Sequence, residues 1–174
     1  MSRYALFDTA IGPMALAWGP HGVVACELPA RSPAHLEARF ARRHERAAPD
    51  GFAAEVIARL CSHLAGQPDA LLDVALDLRA TPAFAQRVYA LTRAIAPGDT
   101  RTYGQIADTL GGAGLARAVG QALGANPFAP IVPCPRVMAA HGGAGGFPAP
   151  GGVSTKLRLL EIEGARHGGQ DGLF

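Results

Sequence analysis

The stretch Ile131-Val132-Pro133-Cys134-Pro135-Arg136-Val137 places one thiol between two prolines, with apolar residues on either side and a guanidinium two positions on. Proline fixes its own φ at 133, and proline at 135 steers Cys134 away from the α region, so the sulfur belongs on a stiff extended or turn segment. A cation near a thiol favours the thiolate, the form that acts as nucleophile, and Arg136 is placed to supply it. The competing reading is a buried structural cysteine, a common fate of free thiols. Cys26 and Cys61 bring the cysteines to an odd three with no close spacing, which gives neither a disulfide framework nor a zinc ribbon. Cys26, Cys61 and His63 could be offered as metal ligands, but one strand thiol and two helix-borne groups fit core packing better. No metal and no cofactor is expected.

The elements that must hold this thiol lie mostly on its N-terminal side. Thr81-Pro82 opens a helix whose apolar stripe, Phe84, Val88, Leu91 and Ile95, stops at Pro97-Gly98. Thr102 caps a short helix over Tyr103–Leu110, Gly111-Gly112-Ala113-Gly114 turns the chain, and Leu115–Ala125 forms another helix. Two short helices joined by a glycine turn are a helix-turn-helix arrangement. The second of them carries Ala116, Gly120 and Gly124 at four-residue spacing, with Ala113, Arg117 and Gln121 beside them. A face with so few side chains lets a backbone approach a partner closely, although tight packing in a core also selects small residues. Beyond the thiol, His141 to Gly152 is glycine-rich, but no Gly-Lys-Ser/Thr follows, so it is no phosphate loop. A flap beside a pocket, with Phe147 as its lid, fits it better. Ser154 caps a last helix through Lys156, Leu157, Leu160 and Glu163, and a glycine-rich tail follows from His167.

Upstream, Tyr4–Phe7, Met14–Trp18 and Val23–Leu28 are short β-leaning runs separated by Gly12-Pro13 and Gly19-Pro20-His21-Gly22, which predicts a three-stranded antiparallel meander. Ser32-Pro33 starts a helix with Leu36 and Phe40 on one face and Arg39, Arg42, Arg43 and Arg46 largely on the other. Glu37 and Glu45 interleave those arginines, so a solvated face is the better reading than a nucleic-acid surface. A second helix runs from about Phe52 to Leu64 with Val56, Ile57, Leu60 and Leu64 inward, and Asp73–Leu78 alternates as a further strand. The expected fold class is therefore α+β: an N-terminal α/β domain built on an antiparallel sheet over 1–80, then a helical, winged-helix-like domain with the helix-turn-helix over 81–174.

With 49% hydrophobic and 17% charged residues the chain is globular and not disordered. It has no run of about 18 apolar residues and no basic-then-apolar leader, so a soluble protein of the cytoplasm is expected, with no membrane partner. The net charge of +2 is too small to announce nucleic acid. Its distribution is more informative: residues 1–80 carry eight arginines against nine carboxylates, and residues 81–174 carry eight cations against five. An anionic partner would bind the second half.

Taken in order, these pieces resemble the O6-alkylguanine-DNA alkyltransferases. The resemblance rests on Thr81-Pro82-x-Phe84, on Pro97-Gly98-x-Thr100-x-Thr102-Tyr103-Gly104-Gln105-Ile106-Ala107, and on Ala116-Arg117-Ala118-Val119-Gly120. Asn126-Pro127, Pro133-Cys134-x-Arg136-Val137, Gly145-Gly146-Phe147, Gly151-Gly152 and Lys156 continue it over about residues 81–164. It implies stoichiometric DNA repair, in which an alkyl group moves from O6 of guanine, or O4 of thymine, to the protein's own cysteine. The target atom lies inside the duplex, so the nucleotide is flipped into a pocket while a helix occupies the minor groove.

By the same resemblance Cys134 accepts the alkyl group, Arg117 fills the vacated stack, and Tyr103 promotes flipping and lines the pocket. Ala116, Gly120 and Gln121 would line the DNA-binding face. Asn126 would brace the hinge before the cysteine turn. Arg136 would be structural and electrostatic, and Phe147, Val137 and Pro135 would belong to the pocket. The implied partner is double-stranded DNA containing O6-alkylguanine, met by a monomer that associates with the nucleoid when bound.

One position departs from the family's pattern. A histidine follows the family's cysteine and relays its proton, oriented by a glutamate matching Glu163; here the residue is Pro135, which carries no titratable group and no N–H. Glu163 is thus expected to stand without its partner. Three readings stay open: a stoichiometric alkyl acceptor, a lesion reader that binds damage and hands it to a downstream repair partner, and a cysteine hydrolase using Cys134 and His141.

Overall fold

The computed structural model describes residues 1–140 and 153–165. The chain divides into two compact units, one of residues 1–79 with 127–131, the other of residues 80–126 with the segment from 132 onward. The return of 127–131 to the first unit had no local signal, because it rests on Cys26 N–H donating to the Pro127 carbonyl at 2.8 Å and on a bridge from Cys26 to Phe128.

In the first unit, β1 (Arg3–Thr9), β2 (Gly12–Gly19) and β3 (Gly22–Glu27) form the expected meander, with β2 in the middle. Both hairpin turns are tight, since Thr9 pairs with Gly12 and Gly19 with Gly22. Gly22 has φ +116°, and a Cβ there would lie 2.4 Å from the Ala75 carbonyl oxygen, so only glycine fits this corner. Met14 to Trp18 are all buried in place of alternating, because the sheet is covered on both faces. Helix α1 (Pro33–Ala41), capped by Ser32, sets Leu36 and Phe40 against Tyr4, Ala15 and Ala17. Helix α2 (Gly51–Leu64) starts at Asp50, whose carboxylate accepts from Ala53 N–H and from the Trp18 indole at 3.0 Å, fastening the helix to β2.

Two expectations for this unit need correction. Helix α1 ends at Ala41, so Arg43 and Arg46 are not on it; the chain turns and forms β4 (Glu45–Arg46), which pairs in parallel with β1. Arg39 pairs with Glu27 and Arg46 with Glu37. Residues 73–78 dock beside Val23 through a single bridge and two backbone hydrogen bonds in place of a full strand.

The second unit holds α3 (Ala83–Arg93), β5 (Arg101–Thr102), α4 (Tyr103–Leu110), α5 (Ala116–Gly124), β6 (Val137–Met138) and α6 (Val153–Ile162). On α3 the buried face is Ala85, Val88, Tyr89 and Thr92, so Phe84 and Leu91 flank the core and do not fill it. The apolar period misled by about one residue because Thr92 satisfies its own hydroxyl within the helix, donating to Val88 O at 2.8 Å. Strands β5 and β6 pair in parallel, Arg101 with Val137 and Thr102 with Met138. This short ladder joins the residue before Tyr103 to the segment just after the cysteine turn.

Candidate active site

Pro133, at φ −83° and ψ 66°, makes an inverse γ-turn in which Cys134 N–H donates to Val132 O at 2.9 Å. A single 3₁₀ turn over Cys134–Arg136 follows, closed by Arg136 N–H on Pro133 O at 2.9 Å. Pro135 occupies the first turn of that element, where an N–H would have no partner within it, so proline is tolerated without loss of a hydrogen bond. The backbone therefore accommodates proline at position 135. Cys134 is buried at 7% exposure, and Pro135, Arg136 and Val137 are buried with it.

Arg136 does not serve the thiol as the sequence suggested. Its guanidinium lies in the interior, donating twice to the Glu163 carboxylate at 2.9 and 2.6 Å and once to Ile95 O at 2.7 Å. Glu163 accordingly has a partner, contrary to expectation, and that partner is Arg136. The pair ties the cysteine turn to the end of α6 and to the end of α3, with each charge neutralised by the other.

The cation that does act on the thiol is Lys156. On α6, Lys156, Leu159 and Leu160 recur at three- and four-residue spacing and face inward, and Glu163 continues that face just past the helix end. Lys156 has no exposed surface; its ammonium donates to Val137 O at 2.6 Å and lies 5.7 Å from the centre of the Tyr103 ring. Burial pushes the Cys134 thiol up to about 11, against a hydrogen bond from Asn126 and the charge of Lys156, which both favour the thiolate. Burial likewise lowers Lys156 to about 8, opposed by Cys134. Asn126 also donates from Nδ2 to Val132 O at 2.9 Å, so one side chain fixes the turn's entry and addresses its sulfur. Tyr103 is half-buried and its hydroxyl is raised by burial and then by Cys134. Tyr89, which donates to Ala122 O at 2.7 Å, is raised to about 12 by burial and then by Cys134.

Tyr103 is held by the start of α4. Thr102 and Gln105 form a reciprocal capping box, with Gln105 N–H donating to Thr102 Oγ1 at 3.0 Å and Thr102 N–H to Gln105 Oε1 at 2.8 Å. Gly111 and Gly112, at φ +142° and +151°, then turn the chain toward α5. Val119 and Leu123 anchor α5, while Arg117, Gln121 and Gly124 are exposed and Ala116 and Gly120 half-buried. A Cβ on Gly124 would meet nothing within 4 Å, and one on Gly120 would only touch the Tyr103 ring at 4.0 Å. The interior of the unit therefore does not require glycine at either position. The bare face is turned outward.

Cys134, Asn126, Tyr103 and Val137 thus converge, Arg136 and Glu163 pair behind them, and Arg117, Ala116, Gly120 and Gln121 share the neighbouring helix face. Phe147 and His141 lie outside the described residues. Sequence reasoning assigned no task to Lys156 or Tyr89. A signal for the first was present: it is the single lysine among sixteen side-chain cations. The first unit's candidate ligands are otherwise engaged, the Cys61 thiol donating to Asp8 O and His63 Nδ1 accepting from Asp69 N–H. No helix among the described residues is long and apolar enough to cross a membrane.

Residues 83–165 match the family described as 6-O-methylguanine DNA methyltransferase, DNA binding domain. A Mycobacterium tuberculosis protein named methylated-DNA--protein-cysteine methyltransferase is 42% identical over 168 residues, covering 95% of this chain and 94% of that one. One of the same name from Methanosarcina acetivorans is 33% identical, covering 93% and 98%. Among solved structures, M. tuberculosis OGT in complex with DNA superposes with a TM-score of 0.76 at 36% identity, covering 93% of this chain and 92% of that one.

Proposed function

The chain belongs to the methylated-DNA–protein-cysteine methyltransferase family, and from that premise we propose that it repairs DNA by taking an alkyl group from O6 of guanine, or O4 of thymine, onto Cys134. The S–C bond forms as the C–O6 bond breaks, the electron pair stays with the base, and the thiol's proton ends on the base. The thioether has no route back, so each molecule acts once.

The observation that carries this reading is the junction of a buried, hydrogen-bonded thiol with an outward-facing smooth helix, made through Tyr103. Tyr103 reaches the thiol electrostatically on one side and Gly120 of α5 on the other. With α5 in the minor groove, Ala116, Gly120 and Gln121 let the backbone approach, and Arg117 enters the stack as the target nucleotide leaves it. Asn126 and Tyr103 then line the pocket that receives the base, with Val137 and Pro135 as walls. The partner is double-stranded DNA carrying O6-alkylguanine, bound by a monomer in the cytoplasm and, when engaged, on the nucleoid.

A second reading is favoured by one observation. Pro135 offers no proton acceptor and the thiol is pushed up to about 11, which suits a protein that binds the lesion and leaves its removal to a repair partner. Incubation with O6-methylguanine duplex, followed by intact mass and peptide mapping, separates the two. We expect a gain of one methyl on the Cys134 peptide; tight lesion binding with no mass gain establishes the reader instead. A hydrolase would show neither result and would turn over acyl substrates.

A further inference from the structure

Something must take the proton from Cys134, and the side chains around it narrow the choice. Pro135 has no titratable group. Arg136 is committed to Glu163 and Ile95 O. Tyr103 and Tyr89 are acids whose hydroxyls are themselves held protonated by burial and by the thiol. The Glu163 carboxylate is held on both oxygens by Arg136. Lys156 is the remaining described side chain of this cluster that can accept a proton and then carry a positive charge felt by the sulfur.

The choice of residue type points the same way. Every other side-chain cation in the chain is arginine, fifteen of them, and arginine cannot release its proton in a protein. If position 156 needed only a fixed positive charge, the residue this chain uses everywhere else would supply it. Lysine at a site with no exposed surface is a different chemical object, a base that changes its charge when its surroundings change. Its ammonium form has two stabilisers in place: the Val137 carbonyl at 2.6 Å and the face of Tyr103 at 5.7 Å. Val137 directly follows the cysteine turn, so the group that holds the ammonium moves with the group it serves.

We propose that Lys156 is the proton carrier for Cys134 in this chain, doing from α6 what a histidine at position 135 cannot. The neutral amine accepts the thiol proton, directly or through one water. The resulting ammonium sits beside the thiolate while sulfur attacks the alkyl carbon. As the C–O6 bond breaks, the ammonium returns the proton to the departing guanine, so the amine ends neutral and the thiol proton ends on the base. No oxidant, metal or second substrate enters. The value of about 8 for Lys156 supports the assignment, because part of the amine is then free at neutral pH while the thiol alone is almost wholly protonated.

This rests on the alkyl-transfer reading, so the test reads the two separately. Iodoacetamide labelling of Cys134, followed at its own peptide across neutral to alkaline pH, reports thiolate formation without DNA. Methyl transfer from O6-methylguanine duplex in single-turnover mode reports repair. In the wild type, labelling should rise through an inflection near the lysine's value of about 8. Lys156→Arg keeps the charge but not the base. It should lose about 10²- to 10⁴-fold in transfer at neutral pH, the usual worth of general acid–base help. Its labelling should show no inflection near 8 and should climb only toward the thiol's value of about 11. Lys156→Met should behave alike. Lys156→Arg with the wild-type inflection and rate overturns the proposal. If the variants do not fold, a wild-type labelling profile rising straight to the thiol's own ionisation overturns it unaided. A wild type that labels with the inflection but gains no methyl from DNA keeps Lys156 as the base and removes the alkyl-transfer reading.

Discussion

Arg136 and Glu163 meet through two parallel hydrogen bonds, at 2.9 and 2.6 Å, with only 3% and 7% of their side chains exposed. Attraction inside a low-dielectric interior offsets the cost of desolvating both charges only while the pair is intact. Glu163→Gln should destabilise the folded chain by about 3–5 kcal/mol, as breaking a buried pair does. Arg136→Met combined with Glu163→Leu should be closer to wild type than either single change. Urea unfolding of wild type, each single variant and the double variant checks this, and single variants within about 0.5 kcal/mol of wild type would mean the pair carries no such cost.

That pair also sets the expectation for restoring histidine. The 3₁₀ turn has room in its hydrogen bonding for an N–H at 135, but the carboxylate that would orient a new imidazole is already held by Arg136. Pro135→His should therefore raise single-turnover transfer at neutral pH by less than about tenfold, far below the 10²- to 10⁴-fold of a well-oriented base. A larger gain would show that Glu163 can change partners.

Arg117 stands exposed on α5 beside the bare face of Gly120 and Gln121. Arg117→Ala should weaken binding to O6-methylguanine duplex more than binding to undamaged duplex, since only the former requires the vacated stack to be filled. Both affinities should fall with salt through phosphate contacts. Titrations of the two duplexes at one fixed salt concentration decide it; equal losses on both would reduce Arg117 to a phosphate contact.

Lys156 and Cys134 pull stability in opposite directions with pH. From about 8 to the ordinary lysine value of 10.5 the unfolded chain binds more protons than the folded one, so Lys156 makes stability rise with pH. From the ordinary thiol value of 9 to about 11 the folded chain binds more protons, so Cys134 makes stability fall. The two offset between about 9 and 10.5, leaving a rise below that window and a decline above it. Each is on the order of 3 kcal/mol. Lys156→Met should remove the rise and Cys134→Ala the decline, read as differences from wild type in melts across that range, where the other cysteines and tyrosines cancel.

Much of the fold was legible because its signals are local. Thr102 as a helix cap, Ser32 before Pro33, and glycines at the hairpin corners 12 and 22 are signals carried by the local chain, and each appears as expected. The hairpins follow from such corners. What escaped was tertiary. Nothing in the sequence marked Asp50, which caps α2 and also holds Trp18 across 32 residues. Arg136 was read as a neighbour of Cys134 because it is two positions away, but a 3₁₀ turn sends its side chain to Glu163, 27 residues distant. Lys156 sits on a helix whose apolar pattern gives no hint that one cation on it is wholly buried. Charge partners across a fold leave no period in the sequence; only the oddity of a lone lysine among arginines marked the place.

That oddity makes the protein its own reporter. Reagents that acylate or reductively methylate primary amines find one side chain in the whole sequence, and it is held on the Val137 carbonyl with no surface open to solvent. Labelling at Lys156 must wait for α6 and the cysteine turn to part, so its rate measures how often that seam opens. A mass increment on the Lys156 peptide, read apart from the reactive N-terminal amine, would time the breathing of the folded chain and show how DNA or an alkylated Cys134 changes it.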